Sequence, residues 1–341
     1  MRYSITLVAA ALLAAGATGL EAQQTVNQTR ATSATGTVEV HTTGGRVRVV
    51  GWTRNQVQVT GTLSSSGQRL EVEEDAGSVV VRVVNLGQSY RQRDGKVRVS
   101  GQHGGGEADL EVRVPARKDV EINAVSANVE VTGIDGTTEA QTVSGGVRVS
   151  GGRGREISAA SRSGGVDITA DAERVEAVSV SGGVRIAGTV RDRIEANSVS
   201  GDVNVTATAG EVEAASVSGN VTVASMRGRA EVHSVSGDVR VTGRALSGEF
   251  QTVSGNVILV GDLARGANLE LTSHSGDVTL ALASGASLEL QANTFSGSIE
   301  ADYRGARVTR PSRREARITV GGGDARVAVH TFSGNVKLTN R

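Results

Sequence analysis

Few side chains in this sequence are placed to make or break bonds. The five histidines, His41, His103, His233, His274 and His330, stand far apart, and none lies at metal-ligand spacing from a cysteine or a second histidine. Serine is abundant, but Ser144, Ser181, Ser218 and Ser254 all occupy the same place in one repeated phrase. A nucleophile is needed once, with a base beside it, so these serines read as turn residues. Carboxylate pairs occur at Glu211/Glu213 and Glu73/Glu74. A polysaccharide-cleaving pair works in a groove, usually with aromatic platforms for the sugar, and aromatics make up only 2% of this chain. The glycine runs at 104–106 and 321–323 lack the Gly-Lys-Ser/Thr of a phosphate loop. No catalytic, cofactor-binding or metal-binding residue is nominated, and no cofactor is implied. One charge cluster remains: Arg304, Arg307, Arg310, Arg313, Arg314 and Arg317 fall within fourteen residues, around Pro311 and beside Glu315. It reads either as a solvated insertion or as a candidate anion-binding segment for lipid headgroups or acidic glycans.

The elements that carry these residues are set by a repeat. Val199-Ser-Gly-Asp-Val-Asn-Val205, Val217-Ser-Gly-Asn-Val-Thr-Val223 and Val235-Ser-Gly-Asp-Val-Arg-Val241 are near copies. Ser-Gly pairs begin at Ser144 and recur every 18 to 21 residues as far as Ser296, then once more after 37 at Ser333. The long gap is expected to hold a degenerate copy at Ala316–Val320. A fixed period with alternating apolar residues predicts stacked coils of strand. Within the copy from Gly210 to Arg229, Val212 and Ala214 are predicted to face inward, as are Val217, Gly219, Val221 and Val223, with Glu211, Glu213, Asn220 and Thr222 outward. The fold class is therefore all-β, a right-handed parallel β-solenoid with coils of 18–21 residues. About twelve coils at a rise of ~4.8 Å give a rod of roughly 55–60 Å.

The residue after Gly should form a column through the stack: Gly146, Gly165, Gly183, Asp202, Asn220, Asp238, Asn256, Asp277, Ser298, Arg317 and Asn335 in chain order. No two Asp are neighbours in it, which keeps carboxylates at one-coil spacing from repelling.

The remaining organisation divides the chain into three. Residues 1–22, with Arg2 followed by an apolar run from Ile5 to Ala15, read as a secretory signal peptide cleaved after Ala22 or Gly19. Residues 23–119 carry strand patterns off the repeat period and are expected to cap the N-terminal end of the solenoid, which occupies 120–341. Lys+Arg and Asp+Glu balance at 36 each, so no global field recruits nucleic acid, and no later segment is apolar and long enough to be a transmembrane helix. There is no Cys for disulfides.

The opening Gly44-Gly-Arg-Val-Arg-Val-Val-Gly-Trp52, then Leu110-Glu-Val-Arg-Val-Pro-Ala-Arg-Lys-Asp-Val120 leading into the Val-Ser-Gly-Asp-Val copies, resembles the bacterial putative adhesin family of β-strand repeat proteins, DUF4097, over roughly residues 35–341. The resemblance implies an exported or envelope-associated β-solenoid with an adhesion role, and it brings no catalytic residues. The expectation is a non-enzymatic protein of the periplasm, outer surface or extracellular space, with an envelope protein or glycan as partner. Two alternatives stand beside it: a self-assembling structural subunit, and a polysaccharide-acting β-helix enzyme. The final copy, Thr331 to Asn340, has no evident polar cap, and its edge is expected to offer a site for self-association by strand addition.

Overall fold

In a computed structural model, residues 23–75, 77–85, 89–93, 96–100 and 106–341 are described. The proposed signal peptide, His103 and most of the first glycine run lie outside them. Among the described residues every regular element is a strand.

Each coil is two strands joined by the Ser-Gly bend. The strands before the bend stack parallel on one another, as Glu211–Ser216 does on Val184–Ser198 and on Val221–Ser234. The strands after it form a second parallel sheet, as Val203–Thr208 does between the same neighbours. The core lies between the two sheets. Val203, Val205, Val212, Val221 and Val223 are completely buried there, and β-branched side chains fill most of the narrow space, with Phe250 a fully buried aromatic at the inward position next to Val232.

The bend corrects one sequence expectation. Val217 does not face inward; it is 46% exposed, and Ser216 is buried instead. Two consecutive residues, Val217 and Ser218, point outward at the corner, which resets the alternation so that Gly219 and Val221 face in again. Gly219 is required by close approach: a Cβ there would stand 2.2 Å from the Gly201 carbonyl oxygen. Ser216 serves that corner, because its hydroxyl donates to the Gly201 carbonyl at 2.9 Å. The same hydroxyl recurs in other copies. Ser198 Oγ donates to Gly182 O and accepts from Gly201 N–H, both at 2.9 Å, so two buried backbone groups are paired by one side chain.

Both ends depart from simple stacking in chain order. At the N-terminal end the strand Thr37–Trp52 is itself a full coil. It lies parallel on Asp119–Thr132 across both limbs, so the solenoid begins inside the segment expected to be wholly cap. The excursion that follows covers it. Ala108–Pro115 and Ser78–Asn85 add parallel to this coil, then Gln56–Leu63 and Gln68–Asp75 add antiparallel, with Gln24–Ala31 outermost. Lys118 pins this arrangement. It is fully buried, and its Nζ donates to the carbonyl of Thr35 at 3.0 Å and to that of Gly77. Burial lowers its pKa, and the nearby Glu74 and Asp119 carboxylates oppose that shift.

At the C-terminal end the last copy is not last in space. Ala325–Ser333 pairs on one side with Asn268–Ser275 and on the other with Leu288–Ser296, and Val336–Asn340 likewise lies between Val278–Leu282 and Ile299–Asp302. The final coil is inserted between two earlier ones, so the Thr331–Asn340 segment presents no free edge. Nor is Ala316–Val320 a coil: Glu315–Val320 runs antiparallel on Leu288–Ser296, and Arg307–Ser312 runs antiparallel on that, closing the end as a hairpin. Arg317 therefore leaves the post-glycine column, and Asn335 enters it beside Asp277.

Candidate functional site

The post-glycine column is a hydrogen-bonded ladder. Asp202 Oδ1 accepts the Asn220 backbone N–H at 2.8 Å, Asn220 Oδ1 accepts that of Asp238 at 2.9 Å, and Asp238 Oδ1 accepts that of Asn256 at 2.8 Å. Asn256 continues to Asp277 at 3.0 Å, Asp277 to Asn335 at 2.8 Å, and Asn335 to Ser298 at 3.0 Å. In space the column strictly alternates Asp and Asn from Asp202 to Asn335. Chain order hides this, because Asn335 comes after Ser298 and Arg317.

The outer faces of the two sheets differ in charge. On the sheet after the bend, Arg48, Glu130, Arg148, Asp167 and Arg185 follow one another in register. Their signs alternate, and Arg148 meets Asp167 at 3.2 Å. On the sheet before the bend, Glu176, Glu195, Glu213, Glu231, Glu249 and Glu270 stack in six successive coils. Beyond Ser158, which interrupts the row, Glu139, Glu121 and Glu39 resume it toward the N-terminal end. Neighbouring amides and guanidinia engage these carboxylates: Asn123 donates to Glu121 at 2.8 Å, Asn197 to Glu195 at 3.0 Å, and Arg193 to Glu213. The hydrogen bond from Arg229 holds the Glu231 carboxyl below the ordinary carboxylate range, which is opposite to what a general acid requires. Sequence reasoning missed this row, although a Glu one residue after the first inward position of most copies was its signal.

The remaining nominated residues do not converge. Glu211 and Glu213 flank Val212 on the outer face and share Arg193, at 3.6 Å from Glu211. Glu73 pairs with Arg82 at 3.4 Å on the N-terminal excursion. His41 Nε2 lies 3.4 Å from Glu39 Oε2, while His233 and His330 sit in the outer face of separate coils. The glycines at 321 and 323 have φ of 61° and 76° and make a turn. Among the described residues no cluster of three or more His, Asp or Glu could hold a metal ion.

The bend carries an exposed apolar ridge. Val143, Val180, Val199, Val217, Val235 and Val253 are each 40–48% exposed in one line along the rod, with Arg162 in the line and Val125 at its start. Toward the C-terminal end the line changes to aromatics. His274, Phe332 and Phe295 stack with centroids 4.9 and 4.8 Å apart and nearly parallel rings, and the Arg314 guanidinium covers the far face of Phe295 at 4.5 Å. Phe295 and Phe332 are 54% and 47% exposed, so ring edges face solvent while ring faces are covered. The arginine cluster sits beside this stack. Arg307 and Arg310 lie on the outermost strand, Arg313 and Arg314 on its turn, and Arg317 on the strand beneath, all exposed, with Arg304 just before them.

A repeat solenoid of this order, opened by the Gly44–Trp52 coil and closed over by an excursion at each end, matches the family described as Toastrack DUF4097 over residues 22–242 and again over 209–339. The chain belongs to the DUF4097 family. Comparison with curated proteins finds no match. Among solved structures, the DUF4097 chain is similar to a putative cell adhesion protein from Clostridium sporogenes, at 8% identity and a TM-score of 0.21, over 93% of this chain and 100% of that one. It is similar to a putative adhesin from Bacteroides fragilis at 10% identity and a TM-score of 0.32, over 92% and 97%. A putative lipid binding protein from Parabacteroides distasonis follows at 14% identity and a TM-score of 0.46, over 70% and 96%.

Proposed function

We propose that this DUF4097 protein is an exported, non-enzymatic binding rod of the cell envelope, with an adhesin-like role in presenting a long regular surface to an envelope protein or glycan. The signal-like N-terminus supports export. The observation that carries the binding role is the ridge at the bend. From Val180 to Val253 apolar side chains stand close to half exposed in an unbroken line on an otherwise polar rod, and such lines mark interaction surfaces. A pure filament role is less favoured, because the outermost strand at the C-terminal end carries Arg307, Arg310 and Pro311, residues that blunt an edge against strand addition.

The test replaces Val199, Val217 and Val235 together with Ser. These side chains are 44–46% exposed, so the melting temperature should change little. Retention of the labelled protein on isolated envelope fragments is expected to fall at least tenfold. Undiminished retention would refute the ridge as the binding surface.

A further inference from the structure

We infer that the C-terminal tip of the rod is a docking surface for an anionic lipid bilayer. The inference rests on the envelope location proposed above and names a partner for one end of the molecule.

Between residues 299 and 317, six arginines stand against Glu300, Asp302 and Glu315, a net charge of +3 in a chain whose formal net charge is zero. The hairpin gathers that charge at one extremity. Arg310 is tethered through a 3.0 Å hydrogen bond to the Ile299 carbonyl, and Arg314 is held over Phe295. Arg304, Arg307 and Arg313 are exposed and, among the described residues, make no side-chain hydrogen bond or ion pair. Free guanidinia on a fixed scaffold suit a surface of phosphate headgroups.

The apolar component decides between a lipid surface and an acidic glycan. A sugar stacks on the face of an aromatic ring. Here the faces are taken, since Phe332 lies between His274 and Phe295, and Arg314 covers Phe295 from the other side. What remains is a row of ring edges, with Val308 39% exposed on the outermost strand. Apolar edges flanked by guanidinia fit the headgroup–acyl boundary, where edges insert and arginines remain at phosphate depth. Strand addition by a protein partner is opposed by Pro311, which has no N–H to donate.

The chain from residue 23 onward, which holds every described residue, is tested by co-sedimentation with vesicles of phosphatidylcholine alone and of phosphatidylcholine mixed equally with phosphatidylglycerol. Binding is expected on the anionic vesicles only and should weaken with salt. Replacing Arg304, Arg307 and Arg313 by Gln should weaken it on the order of 100-fold. Replacing Phe295 and Phe332 by Ser should weaken it about tenfold. Val308→Ser, which leaves the stack intact, supplies the same reading if the double variant melts early. Equal binding to both vesicles, or binding that survives the three arginine changes, overturns the inference. So does binding to soluble polygalacturonate without vesicle binding. The valine ridge variants separate the two readings: loss of vesicle binding in them removes only this inference, and undiminished envelope retention in them removes only the adhesin reading.

Discussion

The Asp–Asn ladder converts the stacking order into a measurable energy. Changing Asn220 and Asn256 to Asp would leave Asp at 202, 220, 238, 256 and 277 in succession. Each new carboxylate gains two like-charged neighbours, one on the coil above and one below. At ~4.8 Å in water each contact costs about 0.9 kcal/mol, so the four new contacts cost roughly 3.5 kcal/mol when unscreened. Two amide donations are lost as well, Asn220 Nδ2 to Asp202 at 3.4 Å and Asn256 Nδ2 to Asp238 at 3.1 Å. Those contribute about 1 kcal/mol together and do not depend on salt.

Screening separates the two parts. At about 10 mM salt the Debye length is near 30 Å and the repulsion is almost entire, whereas at about 1 M it is near 3 Å and the repulsion drops to roughly a fifth. The salt-dependent part is thus about 2 kcal/mol, or about 3 °C in melting temperature for a chain of this length. The assay is thermal unfolding followed by circular dichroism at the two salt concentrations, wild type against the double variant. A large loss at low salt that mostly disappears at high salt is expected. Equal losses at both, or none, would mean that these positions do not touch, and the ladder would fail with them.

Two further predictions concern the ends. Because the chain has no Cys, the pairs Thr272→Cys with His330→Cys and Asn293→Cys with His330→Cys can each be oxidised cleanly. His330 is in register with both partners, so both crosslinks should form on mild oxidation and appear as a mobility shift in denaturing gels. Coils stacked in chain order would not allow the first. Changing Lys118 to Met removes its donations to the Thr35 and Gly77 carbonyls, which keep the Ser33 and Thr32 hydroxyls as donors, and should lower the stability of the N-terminal end by about 1–2 kcal/mol, read through the single tryptophan, Trp52. The folded-state pKa of Lys118 lies below its ordinary value, so above that lowered pKa the unfolded chain binds more protons. The Lys118 contribution therefore rises as pH climbs from the lowered value toward 10.5, and the Met variant should lose that rise.

The coils were legible in the letters because each copy occupies one step of the stack, so Val203, Val221 and Val239 share one interior column as they share one place in the phrase. The corner was not legible by alternation alone. Hydrophobicity favours Val217 inside and Ser216 outside, but the tight bend brings backbone groups into the interior that only a hydroxyl can pair, so the polar residue goes in and the valine goes out. The insertion of the last coil was not legible from chain order either. Its traces were present, since Asn335 restores the Asp–Asn alternation beside Asp277, and Phe295 and Phe332 occupy the same place in their copies and stack only as immediate neighbours. The Arg cluster was found as a charge run, but its position beside exposed ring edges required the antiparallel hairpin, which no repeat pattern encodes.

A formal net charge of zero conceals how the charges are distributed. On the sheet after the bend, alternation of sign makes each residue its neighbour's counterion, and that face presents little field to a partner. On the sheet before the bend, six glutamates in successive coils repel one another by about 0.9 kcal/mol per contact before screening, and amide or guanidinium neighbours offset only part of it. At the C-terminal tip the excess is positive. The rod is therefore neutral in sum and polarised in space, with a field acting over one face and one end. An anionic surface approached by this molecule repels the glutamate face and attracts the arginine tip. Electrostatics alone then favours contact through the tip over lying flat on the glutamate face.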